Sequence, residues 1–404
     1  MYRLLQMHAS HLEEEMVSFA QKLVQTPSTS LNEANAAKMI ENKMTQLGYD
    51  LVTRDNAGNV VGVILGRSSD VVVVLNSHID TVSVSDESQW NHKPFEGIIK
   101  DGILYGCGAA DCKSGIAAQI YAGALLKRSL LPLEGTLVVA ATTAEENGLS
   151  LGVKTLLSET LPELKLKPTY AILGEPTTLG LYYGHDGWLD LDIRVSGMNP
   201  FHVDDAVQDI MNDLYNGKHN TSEIEICEPS FGSSDGNRNA TIRVTRRLHE
   251  AENVNDVVAQ VGRLASLIGQ PSGAVAVDVA IAQEEQKLYT GSVKAVRKIA
   301  DAWSTDPFSK LVDRARHALT AAGCNVVAGK WKLSRLRMGT AGNVFVNEFN
   351  IPTIGYGPGN EEQAHAVNES VVVDKIARAS YGTAAIVHSC IGVPVFGWSS
   401  DDEI

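Results

Sequence analysis

The segment Val71–Thr81, VVVVLNSHIDT, combines an unbroken apolar run with a polar end. Consecutive aliphatic residues such as Val71–Leu75 are typical of a strand buried on both faces, as in the parallel sheets of α/β proteins. His78 and Asp80 follow at the end of this run, where open α/β sheets bind their ligands. The segment therefore predicts a central strand that leads directly into a functional site.

Similar segments lie on both sides of this strand and alternate with helical patterns. The further predicted strands are Val60–Leu65, Thr136–Ala141, Thr169–Leu173 and Pro352–Tyr356. The predicted helices are Ser114–Lys127, Phe308–Ala322 and Val373–Ile391. Strands that alternate with helices indicate an α/β fold, here a catalytic domain with a mostly parallel sheet flanked by helices.

The middle of the chain has a different pattern. Apolar residues alternate with Asp190, Asp192 and Arg194, which is the period of a sheet with one solvent-facing side. Helical stretches at 203–215 and 254–267 fit an antiparallel sheet with two helices. We expect an inserted α+β domain, so that residues 1–183 and 285–404 form one discontinuous domain around an insertion at 184–284.

Composition limits the partners of this chain. Its 34 lysines and arginines face 48 aspartates and glutamates, for a formal net charge of −14, which disfavours binding to a phosphate backbone. No apolar run reaches the roughly 18 residues of a membrane helix, and the first twenty residues lack a secretory signal. Five scattered cysteines are typical of reduced thiols. We expect a cytoplasmic protein with neither nucleic-acid nor membrane partners.

Two other predicted strands also end next to carboxylates. Glu145 and Glu146 follow the strand at 136–141, and Glu175 follows the strand at 169–173. Because successive strand residues point to opposite faces, the adjacent Glu145 and Glu146 are expected to have different roles. A solvated acidic turn is the alternative interpretation of that pair.

A glycine-rich loop carries a further carboxylate, Asp111, in Leu104–Gly115, LYGCGAADCKSG. Asp111 could instead cap the following helix, and the loop amides could hold a phosphate, although the loop lacks the GxxxxGK[ST] and GxGxxG spacings. Cys107 and Cys112 could supply thiol ligands or be small buried apolar residues. His78 and Asp80 could likewise form a structural hydrogen-bonded pair.

One histidine, His365, lies in an acidic loop near the end of the chain. Together with the carboxylates and His78, it completes a set of His, Asp, Glu, Glu and His after successive predicted strands. Nitrogen and oxygen ligands of this kind suit Zn²⁺, Mn²⁺ or Co²⁺. The combined pattern favours a metal site.

The order and wording of these segments resemble the acetylornithine deacetylase, succinyl-diaminopimelate desuccinylase and carboxypeptidase G family of dinuclear metallopeptidases. The resemblance spans nearly the whole chain and rests on SHIDTV from Ser77, GAADCKSG from Gly108, TAEE from Thr143, GEPT from Gly174, and GPG from Gly357 with AHAVNE from Ala364. Asp55–Val60, Tyr356–Gly359 and Arg246–Leu248 look closest to its uncharacterised hydrolases linked to selenium metabolism, a label that names no substrate.

The resemblance implies two divalent metal ions that share one bridging carboxylate. Zn²⁺ is the expected ion, Mn²⁺ and Co²⁺ are also compatible, and a single filled site is an alternative. The implied ligands are His78, Asp111 and Glu175 for one ion, and Asp111, Glu146 and His365 for the other.

The same resemblance implies roles for two more residues and for the insertion. Asp80 would orient His78, and Glu145 would be the general base that takes a proton from water and passes it to the leaving amine. The inserted domain would be a lid that also forms the contact of a homodimer.

The motifs that contact the substrate in this family are altered in this sequence. The lid histidine usually stands four residues after a glycine, but here Phe201 stands four after Gly197 and His202 one later. On a strand this slip would turn the side chain away unless a bulge restored it, so His202 is a catalytic candidate with both outcomes open.

The substrate-binding motifs are altered as well. Asp-x-Arg is replaced by Thr245–Arg247 and Gly-Thr-Ser-Asp by Gly339–Asn343, which leaves Arg247, Thr340 and Asn343 as the substrate-binding candidates. A guanidinium can bind a substrate carboxylate through two hydrogen bonds.

Three functions are compatible with these residues. The first is metal-dependent hydrolysis of a C–N bond in a small molecule, such as an N-acyl amino acid or a dipeptide-like amide. The second is an aminohydrolase that releases ammonia from an activated aromatic or carbamoyl substrate. The third is a noncatalytic binding protein on a hydrolase scaffold, which the retained Glu145 disfavours because an inactive site needs no base.

Overall fold

The structure, a computed structural model, describes residues 2–129, 131–147, 150–216, 224–249, 252–269, 275–324 and 338–393. The chain divides into two compact units. The first comprises Met1–His185, Lys287–Val293 and Ser304–Ile404, and the second comprises Asp186–Gln286 and Lys294–Trp303. The division differs in detail from an insertion at 184–284, because residues 287–293 return to the first unit before the chain re-enters the second. The action of the second unit as a lid stays a prediction.

The helices alternate with strands along the first unit and lie between strands in the second. They are α1 (Tyr2–Val24), α2 (Ala34–Gln46), α3 (Ser114–Arg128), α4 (Leu151–Thr155), α5 (Leu161–Glu163), α6 (Pro200–Asn216), α7 (Val254–Gly269), α8 (Lys310–Ala321) and α9 (Val373–Ile391). None of the described helices combines the length and apolar character needed to cross a membrane.

The strands of the first part of the chain are β1 (Leu51–Arg54), β2 (Val60–Ile64), β3 (Val72–His78), β4 (Ile98–Lys100), β5 (Ile103–Tyr105), β6 (Thr136–Thr142) and β7 (Tyr170–Leu173). Those of the middle are β8 (Gly184–His185), β9 (Gly187–Gly197), β10 (Ile224–Ile226), β11 (Ser230–Ser234), β12 (Asn237–Leu248), β13 (Ala276–Ile281), β14 (Gln283–Lys287), β15 (Val293–Arg297), β16 (Ile299–Ala300) and β17 (Trp303–Ser304). The last are β18 (Thr353–Gly355) and β19 (Ser370–Val372).

The central sheet of the first unit has the order β1-β2-β6-β3-β7-β18. Strand β3 pairs in parallel with β6 and β7, and β7 pairs in parallel with β18, whereas β1 and β2 form an antiparallel edge. Every residue of β2, β3 and β6 is buried, as the continuous apolar runs predict. The predicted α/β class and mostly parallel sheet are confirmed.

Helices cover this sheet. Helices α3 and α9 pack on each other and against β3 and β6, while α1 and α8 pack against α9. Helix α3 is buried from Ser114 to Leu126, which explains why its sequence lacks a polar stripe. The C-terminal ends of the parallel strands β3, β6 and β7 lie at the same end of the central sheet.

The second unit contains an antiparallel sheet in the order β10-β12-β9-β13, with α6 and α7 packed against it. Its apolar positions, including Leu191 and Ile193 on β9, are buried as predicted. The acidic positions between them are not solvent-facing: Asp192 is buried and forms two hydrogen bonds with Arg243, at 2.9 and 3.2 Å. Cross-strand ion pairing therefore covers the face that alternation alone assigns to solvent.

Candidate metal centre

Three neighbouring strands bring polar side chains to one edge of the central sheet. Strand β3 ends at His78, while Glu145 and Glu146 lie just beyond β6 and Glu175 just beyond β7. Because these strands run in parallel, their C-terminal ends meet at the same edge. The sheet order, in which β3 lies between β6 and β7, therefore brings these residues together.

Asp111 lies between two histidines. Its Oδ1 is 3.0 Å from His78 Nε2, and its Oδ2 is 3.7 Å from His365 Nε2. His365 Nε2 is also 2.7 Å from Glu146 Oε2. The helix-cap alternative does not describe Asp111, because α3 begins three residues later at Ser114 and the carboxylate faces the histidines instead.

The ligand atoms form two overlapping clusters, in each of which all atoms lie within 4.8 Å of one another. The first cluster consists of His78, Asp111, Cys112 and Glu175, and the second of Asp111, Glu146 and His365. Asp111 belongs to both, as a bridging ligand must.

The chemistry of these side chains fits divalent cations. Within the described part of the chain, no hydrogen-bond donor reaches the buried Oδ2 atom of Asp111. A buried carboxylate oxygen without a donor is costly unless a cation neutralises it. The residues present therefore fit a dinuclear site.

Electrostatics point the same way. Burial raises the pKa of Glu175 to about 8 and that of Glu145 well above its usual range, and nearby carboxylates add to both effects. Burial also raises the pKa of Glu146, with a further contribution from Asp111. The hydrogen bond to Glu146 raises the pKa of His365 to about 9. These shifts reflect an excess of buried negative charge, which bound cations would offset.

Glu145 and Glu146 have different surroundings, although not for the reason that strand alternation suggests. Strand β6 ends at Thr142, so both residues lie in a loop, and Ala144 before them has a left-handed φ of 52°. Glu146 joins the second cluster, whereas Glu145 is 8% exposed and outside both clusters. A turn therefore separates the two carboxylates.

Asp80 contacts both halves of the site. His78 Nδ1 lies 2.9 Å from the backbone carbonyl of Asp80 and 3.6 Å from its Oδ1 atom. The other carboxylate oxygen, Oδ2, accepts the backbone N–H groups of Glu145 and Glu146, both at 2.9 Å, and the hydroxyl of Ser30 at 2.7 Å. The backbone carbonyl of Asp80 thus contacts the His78 ring, and its carboxylate accepts the backbone N–H groups of the loop that carries Glu145.

Two contributors were not identified from the sequence. Glu33 Oε1 accepts the N–H groups of Leu31 at 2.9 Å and Ala144 at 3.0 Å, and burial, aided by Asp80, raises the pKa of Glu33 to about 7. No local pattern points to Glu33, because its partner loop lies far along the chain. Glu369 is the second: it belongs to the AHAVNE segment, which was the available signal.

Glu369 also excludes the interpretation of the glycine-rich loop as a phosphate site. Its buried carboxylate accepts the backbone N–H groups of Gly108, Ala110 and Asp111 at 2.7, 2.8 and 2.9 Å. The glycine-rich loop therefore binds an anion through its amides, but the anion is a side chain of the same protein. These amides are not available to a phosphate.

The cysteines that flank Asp111 are both buried. The Cys107 thiol points to the carbonyl of Val82 at 3.8 Å, outside both clusters, and the Cys112 thiol donates to the carbonyl of Gly174 at 3.1 Å. Burial raises the pKa of Cys107 to about 12 and that of Cys112 well above its usual range. These contacts favour protonated thiols.

His202 lies in a different element from the one expected. Strand β9 ends at Gly197 and helix α6 begins at Pro200, so His202 is in the first turn of a helix. The expected strand position of His202 was therefore wrong, and a one-residue shift on a helix rotates the side chain by about 100° instead of reversing it. The Nδ1 atom of His202 is buried, and no partner for it occurs among the described residues.

The substrate-binding candidates lie in both units. Arg247, in the second unit, is on β12 directly across from Trp188. Thr340, in the first unit, is buried: its N–H donates to His185 Nε2 at 3.0 Å, and its hydroxyl accepts the N–H of Gly342 at 3.2 Å. Asn343 is also largely buried. Their roles toward a substrate stay predictions.

Comparison with known proteins agrees with this geometry. Residues 74–389 match the peptidase family M20/M25/M40. The chain belongs to this family. The resemblance read from the sequence is thereby confirmed, and the M20/M25/M40 chain is a metallohydrolase that acts on amide-type C–N bonds.

Individual relatives cover almost the whole chain. The uncharacterized protein YgeY of Escherichia coli strain K12 is 26% identical over 405 residues, which is 95% of this chain and 96% of YgeY. The di-peptidase Dug1p from Saccharomyces cerevisiae superimposes with a TM-score of 0.72 at 14% identity, over 96% of this chain and 98% of Dug1p. The YXEP protein of Bacillus subtilis, a dinuclear metal binding peptidase from the M20 family, has a TM-score of 0.68 at 16% identity, over 93% of this chain and 98% of YXEP. The M20/M25/M40 fold thus extends over both units.

Proposed function

We propose that this M20/M25/M40 chain hydrolyses the C–N bond of a small amide, either an N-acyl amino acid or a dipeptide-like molecule. One observation carries the proposal. Two ligand clusters share Asp111, while the buried carboxylate of Glu145 lies next to Glu146 in the chain and outside both clusters. A site that only bound cations would need no such carboxylate.

The ions are proposed to bind His78, Asp111, Glu146, Glu175 and His365. Divalent cations at such ligands acidify water and polarise a carbonyl group. Zn²⁺ is the proposed ion because imidazole and carboxylate are its usual ligands, and Mn²⁺ and Co²⁺ are the alternatives to be compared with it.

Glu145 is proposed to be the general base. Its raised pKa suits a group that must both accept and release a proton near neutral pH. Its carboxylate accepts a proton from the attacking water, whose oxygen bonds to the carbonyl carbon. When the C–N bond breaks, the same proton passes to the leaving nitrogen. Asp80 holds the backbone of Glu145 during both transfers.

The direct test compares wild type with Glu145→Gln on a panel of N-acyl amino acids and dipeptides. We expect kcat to fall by at least about 100-fold in Glu145→Gln, because the proton acceptor is lost. Metal content, measured by mass spectrometry, should remain unchanged because Glu145 is not a ligand. Glu134→Gln, at an exposed glutamate of the first unit, is the matched control. Equal rates in wild type and Glu145→Gln would contradict the mechanism.

Product analysis separates the remaining functions. A larger amine together with an acid supports amide hydrolysis, whereas ammonia supports the aminohydrolase alternative. Tight binding of panel compounds without turnover, in protein with both ions bound, would instead favour the binding protein.

Arg247 is proposed to bind the free carboxylate of the substrate, and its neighbour provides a control. The guanidinium of Arg246 forms an ion pair with Glu252 at 2.6 Å. Arg247→Ala should raise KM at least about tenfold for carboxylate-bearing substrates and little for the corresponding amides. The effect of Arg246→Ala should not depend on the substrate carboxylate. Equal KM changes for acids and amides in Arg247→Ala would exclude this role.

Thr340 and Asn343 are proposed to bind the substrate, and His202 is proposed to be a catalytic residue. The support is their place in the altered family motifs, and Thr340 and Asn343 lie in one loop of the first unit. Thr340→Val and Asn343→Ala should change substrate preference while metal content stays constant. An unaltered preference would remove them from this role.

The chain is further proposed to form a homodimer through the second unit. Met198 and Phe201, at the turn into α6, are exposed apolar side chains in this unit. Phe201→Ser should reduce the mass measured by light scattering to that of a monomer. Phe308→Ser, at an exposed apolar residue of the first unit, should not. A monomeric wild type would end this proposal.

A further inference from the structure

Glu369 holds the loop that carries the shared ligand Asp111. Glu369 is 2% exposed, and its two carboxylate oxygens accept three N–H groups of the loop: Oε2 accepts Gly108 N–H at 2.7 Å, and Oε1 accepts Ala110 N–H at 2.8 Å and Asp111 N–H at 2.9 Å. The third of these amides belongs to the ligand itself. Glu369 therefore fixes the backbone from which the Asp111 carboxylate extends.

The backbone around Glu369 is joined to the same loop. The carbonyl of Glu369 accepts the N–H of Gly106 at 2.9 Å, and the next residue, Ser370, begins β19, which pairs with β5 at Tyr105. Four residues before Glu369 lies His365, the ligand of the second cluster. The segment 365–369 thus carries one ligand, His365, and also holds the loop that carries another ligand, Asp111.

The loop conformation suits an acceptor with two oxygens. Gly108 has a φ of 82°, a left-handed conformation that helps to turn the N–H groups of Gly108, Ala110 and Asp111 toward one point. A glutamine could accept only through its single oxygen and would present N–H groups to the remaining donor. An aspartate would be one methylene too short to reach all three.

We propose that Glu369 is a positioning residue that sets the separation of Asp111 and His365 and thereby the affinity for the second cation. This inference rests on the proposed dinuclear site. Glu369 contacts neither cluster with its own ligand atoms, so it acts through Asp111. Outer partners of this kind typically change metal affinity by about 10- to 100-fold when they are replaced.

The test measures Zn²⁺ binding to cation-free protein by competition with a chromophoric chelator. Glu369→Gln should bind the second Zn²⁺ about 10- to 100-fold more weakly than wild type, and Glu369→Asp should recover part of the loss. Glu362→Gln removes a charge from an exposed position of the same segment and should bind like wild type. A merely structural role would lower the thermal midpoint in chelator but leave the two dissociation constants unchanged, and that result would overturn the proposal.

A second measurement needs no variant and remains available if Glu369→Gln does not fold. In cation-free wild type, hydrogen exchange at Gly108, Ala110 and Asp111 should be slow, because Glu369 accepts these amides without any cation. Exchange as fast as in the exposed turn at Asp101–Gly102 would overturn the proposal. A wild type that binds no divalent cation would instead contradict the proposed function itself, so the two failures are distinguishable.

Discussion

The backbone conformation of Ala144 determines where the side chains of Glu145 and Glu146 lie. Its left-handed backbone turns the chain between β6 and the two glutamates, and its N–H is accepted by Glu33. Without this turn, Glu145 and Glu146 would continue the strand and alternate between its faces. With it, both backbone amides reach Asp80, and one carboxylate enters a cluster while the other does not.

Ionisation of Glu33 should make the unfolding free energy of the cation-free protein depend on pH. Its folded-state pKa is raised from 4.5 to about 7, so the folded state holds the proton more tightly than the unfolded state. This contribution to stability is fully present below about pH 4.5 and is lost as pH rises through about 7. Between pH 4.5 and 7.5, wild type should lose up to about 3 kcal/mol of unfolding free energy relative to Glu33→Gln.

Urea denaturation in chelator at several pH values checks this prediction. Glu33→Gln keeps an oxygen for the amides of Leu31 and Ala144 and cannot ionise. Glu134→Gln should follow the wild-type curve. Parallel pH curves for wild type and Glu33→Gln would show that Glu33 titrates normally.

Cys112 offers another test at the residue scale. It lies within the first cluster, but its thiol donates to the carbonyl of Gly174, so we expect it to remain a thiol when ions bind. Co²⁺-loaded wild type should then lack the near-ultraviolet charge-transfer band of a cobalt thiolate, and Cys112→Ala should retain both ions. A strong band that disappears in Cys112→Ala would make Cys112 a ligand.

At the scale of elements, glycines permit the approach of α3 to the central sheet. Tyr49 donates its hydroxyl to the carbonyl of Ile120, and a Cβ atom at Gly123 would lie 2.3 Å from that hydroxyl oxygen. A Cβ at Gly62 on β2 would lie 2.6 Å from the Tyr49 ring. The helix can therefore pack here only because both positions lack a side chain.

Gly123→Ala should destabilise the first unit by about 1–3 kcal/mol, because the Tyr49 ring must shift within a packed core. Gly262 on α7 is a matched position, since among the described residues its Cβ would meet only Val279, at 3.8 Å. Gly262→Ala should stabilise its helix by up to about 1 kcal/mol. Thermal unfolding of both variants should give shifts of opposite sign, and a lower midpoint for Gly262→Ala would contradict the argument.

At the scale of the whole molecule, the candidate ligands lie entirely in the first unit, although the second unit interrupts that unit in the chain. Cations that bind only the folded first unit stabilise it by mass action. Removal of cations should therefore loosen the segments around His78, Glu146 and His365.

Hydrogen exchange with and without excess chelator checks this prediction. Peptides from the ends of β3 and β6 and from the His365 loop should exchange faster in chelator. Peptides from β9 and α6 in the second unit are the internal control and should not change. Equal acceleration in both units would mean that the cations stabilise the molecule as a whole.

Local patterns in the sequence determined much of this protein. The apolar runs predicted β2, β3, β6 and β7 to within a few residues, because burial on both faces requires continuous apolar character. Helix α9 was predicted at its observed bounds, Val373–Ile391. The ligand candidates were also readable, since each stands at the end of a strand, just beyond one, or in a glycine-rich or acidic loop.

Only the tertiary structure decided how distant segments meet. Three contacts join residues that are distant in the chain and leave no local pattern in the sequence. Glu369 accepts N–H groups of the Gly108 loop, Glu33 accepts the N–H of Ala144, and Cys112 lies within a ligand cluster. The burial of Asp192 was likewise set by a neighbour in space, Arg243 on the adjacent strand. The physical reason is that periodicity reports which face of an element is buried, whereas a contact between segments depends on sheet order and on turns whose conformations are stabilised by those contacts themselves.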